Sequence, residues 1–218
     1  MAKKSARTEP LSRERILETA LAMVDERGIE ALSMRKLAQA LGVEAMSLYN
    51  HVESKDDIVA GILDLVADEV KEPVGPDWKA AIRRTAIATH DAFTRHPWAA
   101  RIWNTSARVT PERLQHGDAV LGTLREAGFS ADLTYHAFHL LNGYALGYTL
   151  QEVNFPYDRE QLEQMAASFL SSLPDGEYPH LVEHITQHVE PRPEHEGAFV
   201  FGLDLILEGL ERLRDAKD

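Results

Sequence analysis

No cysteine occurs among the 218 residues. This excludes a disulfide scaffold, a thiolate metal site and a cysteine nucleophile, and the fold needs no oxidising compartment. No apolar run approaches the ~20 residues that a membrane span requires. The start, Met1-Ala2-Lys3-Lys4-Ser5-Ala6-Arg7, is basic but passes into Thr8-Glu9-Pro10 without the apolar stretch of a leader. These absences predict a soluble cytoplasmic protein with no membrane partner. A P-loop, a Gly-rich dinucleotide turn and a nucleophile elbow are also missing, so neither an enzyme nor a cofactor is expected. Basic side chains are scarce, 23 against 35 acidic, for a net charge of −12. The deficit is uneven: residues 1–60 carry nine basic and ten acidic side chains, so the acidity belongs to the later part of the chain. A near-neutral segment still presents a basic face locally, because screening over ~8–10 Å lets nearby charges dominate.

What is present reads as helix. The prolines at 10, 73, 76, 97, 111, 156, 174, 179, 191 and 193 interrupt no long stretch of helical spacing and mark helix boundaries instead. Ile16, Leu17, Ala20, Leu21 and Val24 form one helical stripe that Gly28 ends, and Ile58, Ile62, Leu65 and Val66 form another after Lys55. Further helices fit 78–96, 111–127 (Thr110 as N-cap), 131–152 (Ser130 as N-cap), 158–172 and 194–214. No alternating strand pattern competes, so the expected fold is all-α. The expected organisation is a flexible basic arm (1–11), a three-helix helix-turn-helix domain (12–54), a connecting helix (55–70) and a larger helical effector-binding and dimerisation domain (71–218). The loop at 71–77 marks the boundary.

Residues 32–52 carry the chemistry. Two short helices flank Gly42, which supplies the positive φ of a sharp turn; Ser33 caps the first, Leu37 and Leu41 face inward, and Ala38 is small where a second helix crosses. Val43, Leu48 and Val52 anchor the second helix, leaving Ala45, Met46, Ser47, Tyr49, Asn50 and His51 largely free. Such a face suits a major groove ~12 Å wide, where hydroxyls, amides and methyls meet base edges.

The run Ala31-Leu32-Ser33-Met34-Arg35-Lys36-Leu37-Ala38, with Leu41-Gly42-Val43, Leu48-Tyr49-Asn50-His51-Val52 and Lys55, resembles the TetR family of transcriptional regulators. The resemblance implies that Arg35 and Ser47 reach bases or nearby phosphates and that Tyr49, His51 and Lys55 contact phosphates. The expected DNA-binding set is thus Ser33, Arg35, Ala45, Met46, Ser47, Tyr49, Asn50, His51 and Lys55, facing a double-stranded operator. It further implies a homodimer built by the last two long helices. The candidate interface residues are Leu140, Gly143 and Gly147 on one helix and Phe199, Gly202, Ile206 and Leu210 on the other.

Trp78 to Trp103 and Gly128 to Gln151 look like the tetracycline-repressor branch. That branch holds magnesium–tetracycline with a histidine and a glutamate; the matching positions here are Trp103 and Gln151, which are poor magnesium-site parts. A small hydrophobic or aromatic effector other than tetracycline is expected, lined by Thr85, Thr89, His90, Trp103, Tyr135, Phe138, His139 and Asn142. The pairs His136/His139 and His184/His188 share helical spacing, but no zincin motif accompanies them, so no metal is expected. The leading expectation is a ligand-responsive repressor. Its competitors are a helical dimeric binding module without operator function and a metal-dependent enzyme using the histidine pairs.

Overall fold

A computed structural model describes residues 10–70, 73–106, 108–155, 158–174, 176–189 and 197–216; the Lys3, Lys4 and Arg7 arm and the side chain of His188 lie outside what is described. Among these residues there are eleven α-helices and no strand. They are α1 (Arg13–Arg27), α2 (Met34–Leu41), α3 (Ala45–Leu48), α4 (Lys55–Asp68), α5 (Trp78–Arg95), α6 (Pro97–Ile102), α7 (Pro111–Glu126), α8 (Ala131–Val153), α9 (Arg159–Ser172), α10 (Pro179–Val189) and α11 (Ala198–Asp215).

Local chemistry sets most boundaries. Ser12, Ser33, Ser54, Thr110 and Ser130 each accept a hydrogen bond from a backbone N–H of the following first turn, satisfying a donor that the helix itself leaves free. Gly42 takes the left-handed conformation (φ 71°, ψ 32°) that turns α2 into α3. Three helices differ from expectation. The reading helix α3 spans only Ala45–Leu48; Tyr49 to His51 continue as a turn of i→i+3 bonds, Asn50 N–H to Ser47 O and His51 N–H to Leu48 O. The helices α6 and α10 were not anticipated.

Two apolar cores form. Ile16, Leu17, Ala20, Leu37, Leu41, Leu48, Ile58, Ile62 and Val66 bring α1–α4 together, and the same cluster takes in Phe93, Trp98, Ala99 and Ala100 of α5 and α6. The helix read as a connector is thus part of the N-terminal core, and packing crosses the boundary marked by the 71–77 loop. Trp78, Ile82, Leu124, Phe129, Leu141, Phe199, Leu203 and Leu207 join α5, α7, α8 and α11 into the second core. Ion pairs Lys79–Glu211 and Arg83–Asp204, both 2.8 Å, fasten α11 along α5.

Candidate nucleic-acid interface and effector cavity

The reading face points outward from a tightly filled base. Leu37, Leu48 and Val52 are buried beneath it, whereas Met46 is 75% exposed and Arg35, Tyr49, Asn50 and Lys55 are exposed as well. Arg35, Lys36, Tyr49 and Lys55 have no side-chain hydrogen bond or ion pair among the described residues. Ser47 and His51 are half-buried at the edge of the face. Ser33 is occupied as the cap of α2, accepting from Lys36 N at 3.3 Å, and half-buried Ala45 packs against the core, so these two support the face more than they extend it.

An ion-pair network holds this head in place. The carboxylate of Asp57, buried at the start of α4, accepts from Arg13 at 2.8 and 2.9 Å and from Glu53 N–H at 3.0 Å, with Arg108 3.4 Å away. The Arg13 hydrogen bonds hold the Asp57 carboxyl down to about 2, against burial that alone pushes it up. Arg13 also donates to the carbonyl of His51 at 3.4 Å, so the end of the reading segment is tied to α1. At the far end of α4, the His96 ring lies between Asp25 of α1 (2.7 Å) and Glu69 (3.0 Å), while Trp98 Nε1–H donates to the same Asp25 oxygen at 2.7 Å. Burial pushes the Glu69 carboxyl up, but its bonds from Arg95 and His96 outweigh that and leave it below its ordinary value.

Between α4, α5, α7 and α8 lies a cavity of about 30 Å³, lined by Ala67, Val70, Thr89, Phe93, Trp103, His116, Asn142, Ala145 and Leu146. Its lining holds no Asp, Glu, Lys or Arg among the described residues, and His116 is its one ionisable side chain, so its chemistry suits an uncharged ligand. Thr89 spends its hydroxyl proton on the Thr85 carbonyl (2.8 Å) and so offers an acceptor. The Asn142 side chain has no hydrogen bond among the described residues and offers both a donor and an acceptor. Trp103 is gripped edge-on by Phe93 (5.1 Å) and covered by the Arg113 guanidinium (4.6 Å), which burial pushes below its ordinary basicity.

Of the eight expected effector residues, three line this cavity: Thr89, Trp103 and Asn142. Thr85 is buried one turn away. His90 is taken up in the core, hydrogen-bonded to Thr149 (2.8 Å), 3.3 Å from Glu152 and stacked on Phe199. Tyr135 and His139 stand exposed on the outer side of α8, with His139 Nδ1 2.9 Å from the Tyr135 carbonyl, and half-buried Phe138 lies outside the cavity. Ala67, Val70, Phe93, His116, Ala145 and Leu146 were missed. Gln151 is exposed and does not line the cavity. Among the described residues, no three His, Asp or Glu side chains converge as a metal site.

The interface candidates also divide. Leu140, Gly143 and Gly147 form an exposed strip on α8. On α11, Phe199 and Leu210 are buried in the chain's own core, and Gly202 lies under the Tyr144 ring, whose hydroxyl donates to Phe199 O at 2.7 Å. Ile206 is half-buried against the same core. The outer face of α11 instead carries Phe201 and Leu205, both large, apolar and exposed, and Leu213 is exposed near its C-terminal end. The apolar stripe is one that α11 carries on both sides, and Phe199, Leu203, Leu207 and Leu210 are the inward one.

Two family models match the chain: residues 16–62 fit "Bacterial regulatory proteins, tetR family", and residues 72–214 fit "Tetracyclin repressor-like, C-terminal domain". An HTH-type transcriptional regulator of Saccharopolyspora erythraea is 33% identical over 181 residues, covering 82% of this chain and 77% of that protein. The HTH-type transcriptional repressor DrrR1 of Streptomyces coeruleorubidus is 30% identical, covering 93% and 78%. Among solved structures, the TetR family protein ActR of Streptomyces coelicolor in complex with actinorhodin superposes with a TM-score of 0.77 at 28% identity, covering 94% of this chain and 99% of that one.

Proposed function

This chain belongs to the TetR family of bacterial regulatory proteins, and from that premise we propose that it works in the cytoplasm as a homodimeric repressor, released from a palindromic operator by an uncharged, planar aromatic effector. The observation that carries the reading is the outward face of Arg35, Met46, Tyr49, Asn50 and Lys55, set without partners of its own on a fully packed base. Arg35 offers a fork of donors to guanine O6/N7 or phosphate, Ser47 a hydroxyl to a base edge, and Met46 an apolar contact to a thymine methyl. Tyr49, His51 and Lys55 hold the phosphates. Direct base reading is sparse in this set, so the shape of the operator contributes to recognition.

The effector class rests on the aromatic and amide lining of the cavity, and on the ActR complex with actinorhodin as a likeness. An effector that binds only the enlarged cavity shifts the population away from the DNA-competent form, typically by 1–3 kcal/mol of coupling.

The test is retardation of a duplex selected from a random library by the native chain. Tyr49→Ala should weaken binding to all sequences alike, by roughly tenfold, and Arg35→Ala should in addition flatten the preference at one or two positions, a loss of about 1–3 kcal/mol of discrimination. Unchanged retardation by both variants would refute the assignment.

A further inference from the structure

The cavity's about 30 Å³ is close to the share of one water molecule in the liquid, against roughly 300 Å³ or more for ordinary ligand pockets. A planar aromatic effector therefore enters only by displacing a wall. Most of the lining is embedded in α4, α5, α7 and α8, but Trp103 stands in the turn just past the end of α6. Behind it, Arg113 covers the ring and donates to the Trp103 carbonyl and to the Arg108 carbonyl (3.4 Å).

Arg108 reaches from there to the reading head. Its Nη1 is 2.9 Å from Glu53 Oε2 and 3.4 Å from Asp57 Oδ1, the two carboxylates that flank Lys55 in sequence. Two residues further on, Thr110 Oγ1 donates to Asp64 at 2.5 Å. Asp57 and Asp64 are seven residues apart on α4 and so lie on one face of it, gripped at two levels by the chain leading into α7.

Resting on the effector reading above, we propose that Arg108 is the positioning residue that carries an enlargement of the cavity to the DNA-facing end of α4. Outward movement of Trp103 takes Arg113 and Arg108 with it, and Arg108 moves Glu53 and Asp57. Arg13 follows because it is paired with Asp57, and the His51 carbonyl follows because it accepts from Arg13. Without Arg108 the upper grip at Asp64 remains, but the end of α4 beside Lys55 no longer follows the cavity wall.

The experiment needs no identified effector, because a larger side chain on the cavity wall is a built-in occupant. Ala145→Leu is placed in the native chain and in Arg108→Gln, and operator affinity is measured on the selected duplex, with Ala145→Val as a milder expansion should the first fail to fold by circular dichroism. In the native background the expansion should cost about tenfold or more in affinity, within the ordinary range of allosteric coupling; in Arg108→Gln the extra cost should fall to about twofold or less, and Arg108→Lys should restore part of it. An equal cost in both backgrounds overturns the role of Arg108 alone; no cost in the native background overturns the coupling of the cavity to the operator, and this proposal with it. If the native chain enriches no duplex at all, the operator reading falls, and this proposal with it.

Discussion

Replacing Phe201 and Leu205 together by glutamate should turn the protein into monomers near 24.4 kDa and lower operator affinity by two orders of magnitude or more. Both side chains are large, apolar and exposed on α11 (68% and 52%), so the substitution costs the isolated fold little. They lie on the side of α11 opposite Phe199, Leu203 and Leu207. Exposed Leu213 on α11 and the Leu140, Gly143 and Gly147 strip of α8 extend the same kind of surface. Four like charges brought to the middle of an interface between two copies would oppose its closure. A single helix-turn-helix reads few base pairs, so most operator affinity comes from two heads acting on one duplex. Sedimentation and gel retardation of the same preparation decide it. A double variant that stays dimeric, or a monomer that binds as tightly as the native chain, contradicts the assignment of this face.

Asp57→Ala should cost about 2 kcal/mol of stability at neutral pH, because Asp57 is buried but its partner Arg13 is 42% exposed and is not stranded in the interior. The substitution leaves the Glu53 N–H without its acceptor and removes the carboxylate that orients Arg13, the residue that links the His51 carbonyl to α1. The pH dependence follows from the carboxyl held near 2 in the fold against ~3.9 unfolded. A depressed carboxylate stabilises the fold fully above its unfolded value, and that share, about 2 kcal/mol, is lost as the pH falls from ~4 towards 2. Urea melts at pH 7 and pH 2.5 should therefore show a large gap between native and variant at the first and a much smaller one at the second. Operator binding by Asp57→Ala should fall as well, since Tyr49 to His51 are positioned through this carboxylate. A gap that is the same at both pH values contradicts the account.

The N-terminal part was legible because each of its special positions has a local cause. Ser33 caps, Gly42 turns, Leu37 and Leu48 bury, and all act within a few residues of themselves. The shortness of α3 was not legible, because the change from α-helical to i→i+3 bonding after Leu48 is marked by no proline or glycine. The helix α6 escaped notice because it is six residues long and parts from α5 only at His96. The phase of α8 and α11 could not be read, since apolar residues occupy every side of both helices. Tyr135 and His139 were therefore assigned to the cavity from the outer side of α8, and Phe199 and Leu210 to the interface from the inner side of α11. The cavity itself gathers Ala67, His116 and Ala145 from three different helices, and as single letters these are ordinary core or surface residues. The Arg108 contacts bridge more than fifty residues of sequence and have no periodicity to announce them.

The most direct test of the account is a hydroxyl-radical footprint of the native protein on its selected duplex. Two protected stretches related by a two-fold axis, with centres one helical turn or about 34 Å apart, are the predicted result. A single protected stretch, or protection without two-fold symmetry, would contradict a pair of reading heads held at fixed spacing by one dimeric body.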